Sequence, residues 1–249
     1  MNTSSSGLTL VSINIEGSKH LERVKDFLRN AKPDVVCMQE VFRHDLPFFQ
    51  EILGKHVVFA PMFLRKTATG VIDEMGIVIF TASPTTDVRQ EYYYGNANME
   101  TLFTLGDMET CSRVLLSIEV DHGGTKYRIG TTHFTWSPDG KASDEQHRDV
   151  LQLLHTLSTL KDGIVFCGDF NAPRGGEIFA RIAALYKDNL PPEIKSTLDP
   201  VYHRAPPTQR DRLAVDTIFS TPEYVVDHVE VIEGISDHKL LRAFLTRAG

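Results

Sequence analysis

The stretch GIVFCGDFNAP, residues 163–173, joins a short apolar run to two polar residues. Its residues 164–167 predict a strand buried on both faces, because the run is short, apolar and partly β-branched. Asp169 and Asn171 follow two residues apart, so their side chains point to the same side of the chain, and Phe170 points the other way into the core. A buried strand that ends on an acid and an amide indicates a site at this end of the strand.

Outward from this stretch, apolar runs with strand character are mixed with segments of helical spacing. Ser143 and Gln146 predict a capping box at the start of a helix over residues 143–160. Consecutive strands mixed with helices predict an α/β fold in which two sheets pack face to face with helices outside. The predicted strands are LTLVSIN, DVVCMQE, VVFAPMF, MGIVIFT, RVLLSIEV, KYRIGTTHF, GIVFCGDF, VDTIFS, VVDHVEVIEG and HKLLRAFLT.

The composition is that of a globular chain, with 41% hydrophobic and 24% charged residues among 249. This length predicts a single domain over residues 1–249, of which we expect residues 1–7 to be flexible. No membrane span of about 20 apolar residues and no secretory pattern is present, so we expect a cytoplasmic protein that does not bind membranes. Cys37, Cys111 and Cys167 are expected to be reduced core residues, and no obligate protein partner is evident.

The net charge of −7 comes from 26 basic and 33 acidic residues. This balance argues against a passive nucleic-acid binder, which usually carries a basic surface for the phosphate backbone. It does not exclude an enzyme that brings a divalent cation to a phosphate, because such a site is itself built of carboxylates.

Many of the predicted strands begin or end with a polar residue. Each such residue has a structural explanation when taken singly: Asp169 can cap a turn, and Asp216 can pair with Arg212. Taken together they predict one cluster at the edge of the sandwich. Carboxylates and amides without a cysteine cluster suit Mg²⁺ or Mn²⁺ rather than zinc, and nearby imidazoles can donate to a phosphate. The cluster consists of Asn14, Glu40, His133, Asp169, Asn171, Asp216, Asp237 and His238.

The ordered motifs SIN, MQE, THF, GDFN, DTIF and SDH resemble those of the endonuclease/exonuclease/phosphatase superfamily, the deoxyribonuclease I-like fold. The resemblance spans about residues 8–245 and implies a four-layer α/β sandwich with two mixed β-sheets. It also implies divalent-metal-dependent hydrolysis of phosphoesters. Glu40 looks like the principal metal ligand, with Asn14 beside it and Asp237 completing the metal shell.

The same resemblance implies catalytic roles for four further residues. Asp169 looks like the group that orients or deprotonates the attacking water, and Asn171 would hold the phosphate or that water. His238 resembles a histidine that stabilises the pentacovalent transition state. Asp216 would keep His238 protonated and oriented, as a carboxylate does for an imidazole.

A second pair follows from the resemblance. Glu74, in DEMGIVIF, and His133 occupy the places of a paired glutamate and histidine, and Arg113 matches a phosphate-contacting arginine. From the residues alone, Glu74 could also be a solvated carboxylate beside Asp73, and Arg113 could be a charge at a strand edge.

The substrate is less well defined. SINIEG resembles the tyrosyl-DNA phosphodiesterase branch, and MQEV is shared with this branch and with several others. Against this assignment, GDFN stands in place of that branch's Gly-Asp-Thr-Asn and Lys239 in place of its tryptophan. The first hypothesis is a phosphodiesterase acting on nucleic acid, in particular on DNA ends with a 5′ adduct. Hydrolysis of a small or lipid-derived phosphoester and a catalytically silent binding module are the alternatives.

Two segments are candidates for contact with the substrate. Three consecutive tyrosines fall in a predicted loop and the one tryptophan closely follows THF, so these rings could stack on bases, or the tyrosines could simply cover the edge of the core. A Pro-rich segment offers arginines to a polyanion, unless they are solvated loop residues. The candidates are Tyr92, Tyr93, Tyr94, Trp136, Arg204 and Arg210.

Overall fold

The computed structural model describes residues 7–54 and 56–249, and these residues form two mixed sheets of six strands each, flanked by helices. Of the segment expected to be flexible, residues 1–6 lie outside the described residues. The strands are β1 (Leu8–Asn14), β2 (Val35–Phe42), β3 (His56–Lys66), β4 (Ile72–Thr81), β5 (Thr85–Tyr94), β6 (Arg113–His122), β7 (Thr125–His133), β8 (Val165–Asp169), β9 (Lys187–Asp188), β10 (Asp216–Ser220), β11 (Tyr224–Ile232) and β12 (Leu240–Arg247). The helices are α1 (Leu21–Ala31), α2 (Leu46–Leu53), α3 (Asp144–Ser158), α4 (Glu177–Ala183) and α5 (Pro207–Arg210).

The strand order brings two parallel pairs to the middle of the sandwich. The first sheet has the order β11-β12-β1-β2-β4-β3 and the second the order β5-β6-β7-β8-β10-β9. Among the described strands, β1 with β2 and β7 with β8 are parallel, and α1 and α3 provide the crossovers that parallel neighbours require. The carboxyl ends of both pairs therefore carry the loops in which ligands of α/β sheets usually bind.

Hydrophobic side chains fill three layers. One layer lies between the sheets and includes Leu10 and Leu116, and a second lies between the first sheet and the helices α1 and α2. The third packs α3 and α4 on the second sheet and includes Phe170, as expected for the residue between Asp169 and Asn171. In β6, Leu115 belongs to this third layer while Leu116 faces the other sheet, which is the two-residue period of a strand. The predicted four-layer α/β sandwich is confirmed.

The sequence pattern identified all but two of the described strands. It missed β5, whose segment TTDVRQEYYY is mostly exposed and lacks an apolar alternation, because β5 is an edge strand that pairs only with β6. It also missed the two-residue strand β9. The three cysteines are free and buried, as expected for core residues. No helix in the described part of the chain is long and apolar enough to cross a bilayer.

Candidate active site

Three of the predicted residues lie in one row across the second sheet. His133 is the register partner of Asp169 in the parallel pair β7–β8, and Asp169 is the partner of Asp216 in the antiparallel pair β8–β10. All three side chains are buried, and His133 Nε2 lies 3.5 Å from Asp169 Oδ2. Because directly paired residues project from the same face of a sheet, strand register alone brings these side chains together.

Asn14, at the end of β1, connects the two sheets. Its Nδ2 donates to Glu40 Oε1 and to Asp169 Oδ2, both at 3.2 Å, and its Oδ1 accepts the backbone N–H of Glu16 at 3.1 Å. In this orientation the amide N–H group of Asn14 faces the two carboxylates and holds them in place across the sandwich. The role of Asn14 as a metal ligand stays a prediction.

His238 reaches the row from the segment before β12. Its Nδ1 lies 2.9 Å from Asp216 Oδ2, which also accepts a hydrogen bond of 2.6 Å from the hydroxyl of Thr197. Its Nε2 lies 3.7 Å from Asp169 Oδ2. The predicted pairing of His238 with Asp216 is therefore confirmed, and it leaves Nε2 on the side of Asp169.

The two histidines beside Asp169 differ in protonation. Burial opposes the charged form of His238, but the carboxylates of Asp216 and Asp169 raise its pKa well above the usual range. Burial lowers the pKa of His133 to about 4, and the nearby charge of Arg113 acts in the same direction. Burial also raises the pKa of Asp169, against the stabilising charge of His238. An imidazolium and a neutral imidazole thus flank one carboxyl group.

Several site residues have a left-handed backbone, which side chains other than glycine adopt at a cost of about 1–2 kcal/mol. The φ angles are 51° at Glu16, 56° at Glu40 and 48° at Asn171. Glu40 lies where the register of β2 against β4 shifts, and such a bulge re-aims the side chain. Asn171 is held by its own N–H on Asp169 Oδ1 at 2.8 Å and by its Nδ2 on Phe134 O at 3.1 Å. Strain of this kind concentrates at functional sites.

Gly168 provides the backbone conformation that β8 needs just before Asp169. Its φ is 139°, and a Cβ at this position would lie 2.0 Å from the carbonyl oxygen of Thr132. We expect Gly168→Ala to lower the free energy of unfolding by about 3 kcal/mol or more, because the backbone of β7 would have to move. Gly175→Ala is the matched control, since φ is 84° but no atom lies within 4 Å, and we expect a loss of about 1 kcal/mol. If chemical denaturation shows the same loss of unfolding free energy for Gly168→Ala and Gly175→Ala, this prediction is wrong.

A set of oxygen donors at the site fits a divalent cation. The carboxylates of Glu16, Glu40 and Asp237 line the same cleft, and those of Glu16 and Asp237 have oxygens within 4.8 Å of each other. Burial raises the pKa of Asp237 to about 6; the charge of His238 lowers it, whereas Glu16 and Glu40 raise it further. A bound cation would relieve this concentration of negative charge, and hard oxygen ligands are those that Mg²⁺ and Mn²⁺ prefer.

The predicted cluster opens into a cleft of about 660 Å³. The lining of this cleft includes four apolar side chains that we call the apolar shelf: Phe63, Phe103, Leu105 and Trp136. The rings of Phe63 and Phe103 stack with their centroids 4.6 Å apart. Trp136 is 43% exposed and Leu105 is 64% exposed. The predicted contact residue Trp136 thus lines the same cleft as the predicted cluster.

Arg113, at the start of β6, lines the cleft next to His133. Its side chain is only 4% exposed, and its Nε has no hydrogen-bond partner. No carboxylate of the described residues forms an ion pair with it. A buried guanidinium without a counter-charge is costly, so an anion that enters the cleft would find a preformed partner here.

Replacing Arg113 should separate stability from anion binding. We expect Arg113→Met to raise the free energy of unfolding by about 1 kcal/mol or more, since an unpaired buried charge is replaced by an apolar side chain of similar length. The same variant should lose at least about tenfold in kcat/KM toward a phosphodiester. Arg113→Lys keeps the charge and serves as the control. Lower stability of Arg113→Met together with unchanged kcat/KM would contradict the assignment.

Glu74 does not pair with His133, and this prediction is wrong. Its carboxylate pairs with Arg43, the residue directly after β2. The carboxylates close to His133 Nε2 are those of Asp169 and of Glu40, the latter at 3.9 Å. The physical reason is the strand order, because β4 lies beyond β2 in the first sheet while His133 belongs to the second.

The three tyrosines are not at the cleft, so the prediction that they stack on substrate is wrong. They belong to β5 and not to a loop. Tyr92 donates to a backbone carbonyl of β3 at 2.8 Å, and buried Tyr93 shares a hydrogen bond of 2.9 Å with a threonine of β7. An arginine of α3 lies over the ring of Tyr94 at 4.7 Å. The alternative that these rings cover the edge of the core is confirmed.

The two candidate arginines of the Pro-rich segment differ in position. Arg204 lines the cleft as predicted, where its Nη2 pairs with Glu16 Oε1 at 2.6 Å. Arg210 instead donates from Nη1 to the carbonyl of Pro200 at 2.7 Å and from Nε to Asp211 at 3.0 Å. Arg210 therefore stabilises its own segment, and its predicted contact with substrate is not supported by the geometry.

Sequence reasoning missed three residues of the site. Glu16 could have been found, because it stands two residues after Asn14 just as Asn171 stands two after Asp169. Gln146 forms only part of the predicted capping box: its backbone N–H donates to Ser143 Oγ at 3.2 Å, but its Nε2 donates to the carbonyl of Asn171 at 3.0 Å. His203, which lines the cleft from a long irregular segment, had no local signal.

The model of the endonuclease/exonuclease/phosphatase family matches residues 11–238 of the chain. Similar solved structures include the human Nocturnin catalytic domain with a bound sulfate anion, with a TM-score of 0.70 and 18% identity over 97% of this chain and 94% of that one. A mannosyl-6-phosphatase of Bacteroides thetaiotaomicron has a TM-score of 0.68 and 13% identity over 96% and 99%. A humanized D. rerio TDP2 has a TM-score of 0.65 and 18% identity over 97% and 100%. No curated protein sequence matches the chain. At these identities the similar structures show the fold.

Proposed function

The chain belongs to the endonuclease/exonuclease/phosphatase family, and from this membership we propose that it is a divalent-metal-dependent phosphodiesterase that hydrolyses nucleic acid, in particular DNA ends with a 5′ adduct. The observation that carries the proposal is the chain of contacts from Asp216 through His238 to Asp169. In these contacts a carboxylate that could accept the proton of a water lies beside an imidazolium that could stabilise a phosphoryl oxygen, which supports the proposal.

Hydrolysis of a phosphodiester requires a water oxygen to attack phosphorus while an ester P–O bond breaks. Asp169, the carboxylate between the two histidines, takes the proton of that water. His238 donates from Nε2 to a phosphoryl oxygen on which negative charge grows, and Asp216 keeps the ring charged and oriented. The products are a phosphomonoester and an alcohol, whose oxygen takes up a proton as it leaves.

The remaining groups bind and orient the phosphate. A divalent cation, Mg²⁺ or Mn²⁺, would be held by Glu40, Asp237 and Glu16 and would stabilise charge on the phosphoryl oxygens. Arg113 offers its guanidinium, whose Nε has no hydrogen-bond partner, to the phosphate, and Asn171 lies beside Asp169 to hold the phosphate or the water. These groups meet in one cleft, which argues against a catalytically silent binding module.

The apolar shelf supports a substrate with planar rings. Trp136 and Leu105 expose apolar surface at the rim of the cleft, next to the cluster that would hold the scissile phosphate. Stacking of a base on an aromatic side chain contributes about 1–3 kcal/mol and does not require a particular sequence. The resemblance of SINIEG to tyrosyl-DNA phosphodiesterases points to the same class of substrate.

A second candidate is hydrolysis of a small or lipid-derived phosphoester. It is favoured by the charge of the cleft, because Arg65 and Arg204 are already paired with Glu40 and Glu16. These two arginines are therefore less available to the phosphate backbone of a nucleic acid. A cleft of about 660 Å³ is also within the range of small-molecule sites. A mannosyl-6-phosphatase is among the proteins of similar structure.

The test is a cleavage panel in Mg²⁺ buffer with an EDTA control. It contains single-stranded and duplex DNA, RNA, a 5′-tyrosyl oligonucleotide, bis-p-nitrophenyl phosphate and a phosphomonoester. We expect EDTA-sensitive cleavage of the oligonucleotides, fastest for the 5′-tyrosyl substrate. Cleavage of the small esters alone would favour the second candidate, and a folded protein without any activity would favour the binding module. The Asp169→Asn variant, purified in the same way, excludes a contaminating nuclease.

Trp136→Ala distinguishes the two candidates within this panel. If bases stack on the shelf, kcat/KM toward an oligonucleotide should fall about 5- to 100-fold while bis-p-nitrophenyl phosphate is cleaved as before. Leu151→Ala removes an apolar side chain of α3 that is also exposed but lies outside the cleft, and it is the control.

A further inference from the structure

His203 is a third histidine at the cleft, and the reaction described above does not use it. It lies between β9 and α5, is half-buried and lines the same cleft. Its ring meets that of His238 edge-on, with centroids 5.7 Å apart and planes at 79°. One of its ring nitrogens lies within 4.8 Å of a carboxylate oxygen of Asp237 and of a ring nitrogen of His238. His203 is therefore within reach of a group bound to His238.

A buried carboxylate fixes the segment that carries His203. Oδ1 of Asp199 accepts the backbone N–H groups of the two residues before His203, at 2.8 and 3.0 Å. Oδ2 of Asp199 accepts the N–H of Gly234 at 2.7 Å, and its own N–H donates to the carbonyl of Asp237 at 2.8 Å. Because Asp199 also contacts Asp237, the residue before His238, it holds His203 and His238 in fixed positions relative to each other.

A backbone contact also selects the tautomer of His203. Its Nδ1 accepts the N–H of Ala205 at 3.1 Å. A neutral imidazole has one N–H group, so the proton lies on Nε2. Within the described part of the chain, Nε2 has no hydrogen-bond partner. Residues 199–205 thus hold the Nε2–H group of His203 in a fixed position, as a hydrogen-bond donor that is available to a ligand.

We propose that His203 donates its Nε2–H to a phosphoryl oxygen of the bound ester, on the side of the phosphate that faces residues 199–205. This inference rests on the proposed phosphodiesterase function. His203 would complement His238, since a neutral donor stabilises an oxygen without adding a second positive charge beside the imidazolium. A donor that is already in place costs no reorganisation when charge develops on that oxygen.

Activity toward bis-p-nitrophenyl phosphate in Mg²⁺ buffer gives the first test. We expect His203→Ala to lower kcat about 10- to 100-fold with little change in KM, and His203→Gln to retain kcat within about fivefold because its amide also donates an N–H. The Mg²⁺ concentration for half-maximal activity should stay within about twofold in both variants. His155→Ala, an exposed histidine of α3, is the matched control and should behave as the unchanged protein.

Three outcomes of this assay would overturn the proposal. His203→Ala with kcat and KM within about twofold of the unchanged protein would show that the donor is not used. A His203→Gln variant as impaired as His203→Ala would show that an N–H donor is not the property that matters. A loss of activity that excess Mg²⁺ restores would make His203 a metal ligand instead.

A second readout does not depend on turnover. Long-range ¹H–¹⁵N NMR of the metal-free protein should show His203 in the Nε2–H tautomer, and added inorganic phosphate should shift its signals but not those of His155. The Nδ1–H tautomer, or signals that phosphate leaves unchanged, would overturn the proposal even if the protein cleaves the esters. Phosphate-dependent shifts in a protein that cleaves no ester of the panel would reject the proposed function and retain His203 as a phosphate donor.

Discussion

Replacing Asp169 with asparagine is expected to lower kcat toward a phosphodiester by about 10³-fold or more. The carboxylate is buried between His133 and His238, at 3.5 and 3.7 Å from their Nε2 atoms, and burial raises its pKa. In the proposed mechanism, Asp169 is the acceptor for the proton of the attacking water. An asparagine has nearly the same shape but cannot accept that proton.

The same variant should remain folded, which separates chemistry from stability. The substitution removes a buried negative charge, which stabilises the protein, and it weakens the contact with the amide of Asn14, which destabilises it. Because these effects oppose each other, we expect the free energy of unfolding to change by about 1–2 kcal/mol or less. Asp188→Asn, which alters a partly buried carboxylate outside the cleft, should keep full kcat and is the control. A kcat of Asp169→Asn within about tenfold of the unchanged protein would remove Asp169 from the mechanism.

The architecture could be predicted because its signals are local. The run RVLLSIEV has apolar residues on both faces of its strand: Leu116 packs in one layer and Leu115 in the other. The sequence of such a run therefore predicts both the strand and its burial on two faces. Edge strand β5 could not be predicted, because an edge strand buries little surface and its segment 85–94 has no apolar alternation. For the same reason the sequence places the tyrosines in a loop, since it predicts no strand over this segment.

The site was predictable where motifs stand at the ends of central strands, and not where tertiary structure sets the direction of a side chain. His133, Asp169 and Asp216 meet through strand register, which follows from the strands themselves. The pairing of Glu74 with Arg43 depends on which strand neighbours β4, and no local pattern encodes that order. His203 reaches the cleft only because buried Asp199 ties its segment to the residues before β12.

Replacing Asp216 with asparagine is expected to lower kcat by about 10²- to 10³-fold and to move the alkaline loss of activity to lower pH. Asp216 accepts from Nδ1 of His238 and is one of the charges that raise the pKa of this histidine. In the unchanged protein the imidazolium therefore persists through neutral pH and is lost only as the pH rises through that raised value. Without the carboxylate the imidazolium is lost earlier. The measurement is kcat as a function of pH in saturating Mg²⁺.

A double-mutant cycle attributes this effect to the pair. If Asp216 acts only through the imidazolium, His238→Gln should lower kcat at least as much and remove the alkaline limb of the profile, and adding Asp216→Asn should then cost little more. If the fold-losses in kcat of the two single variants instead multiply in the double variant, Asp216 does not act by positioning His238.

The same pair makes a separate prediction for stability. A histidine whose pKa is raised on folding stabilises the native state fully below its unfolded pKa of about 6.5, and this contribution is lost as the pH rises through the folded pKa. Above neutral pH, the free energy of unfolding should therefore decrease more steeply for the unchanged protein than for His238→Gln, as measured by chemical denaturation at several pH values. Parallel curves would show that His238 is not held as an imidazolium, and His238 would then have to act on the phosphate as a neutral donor.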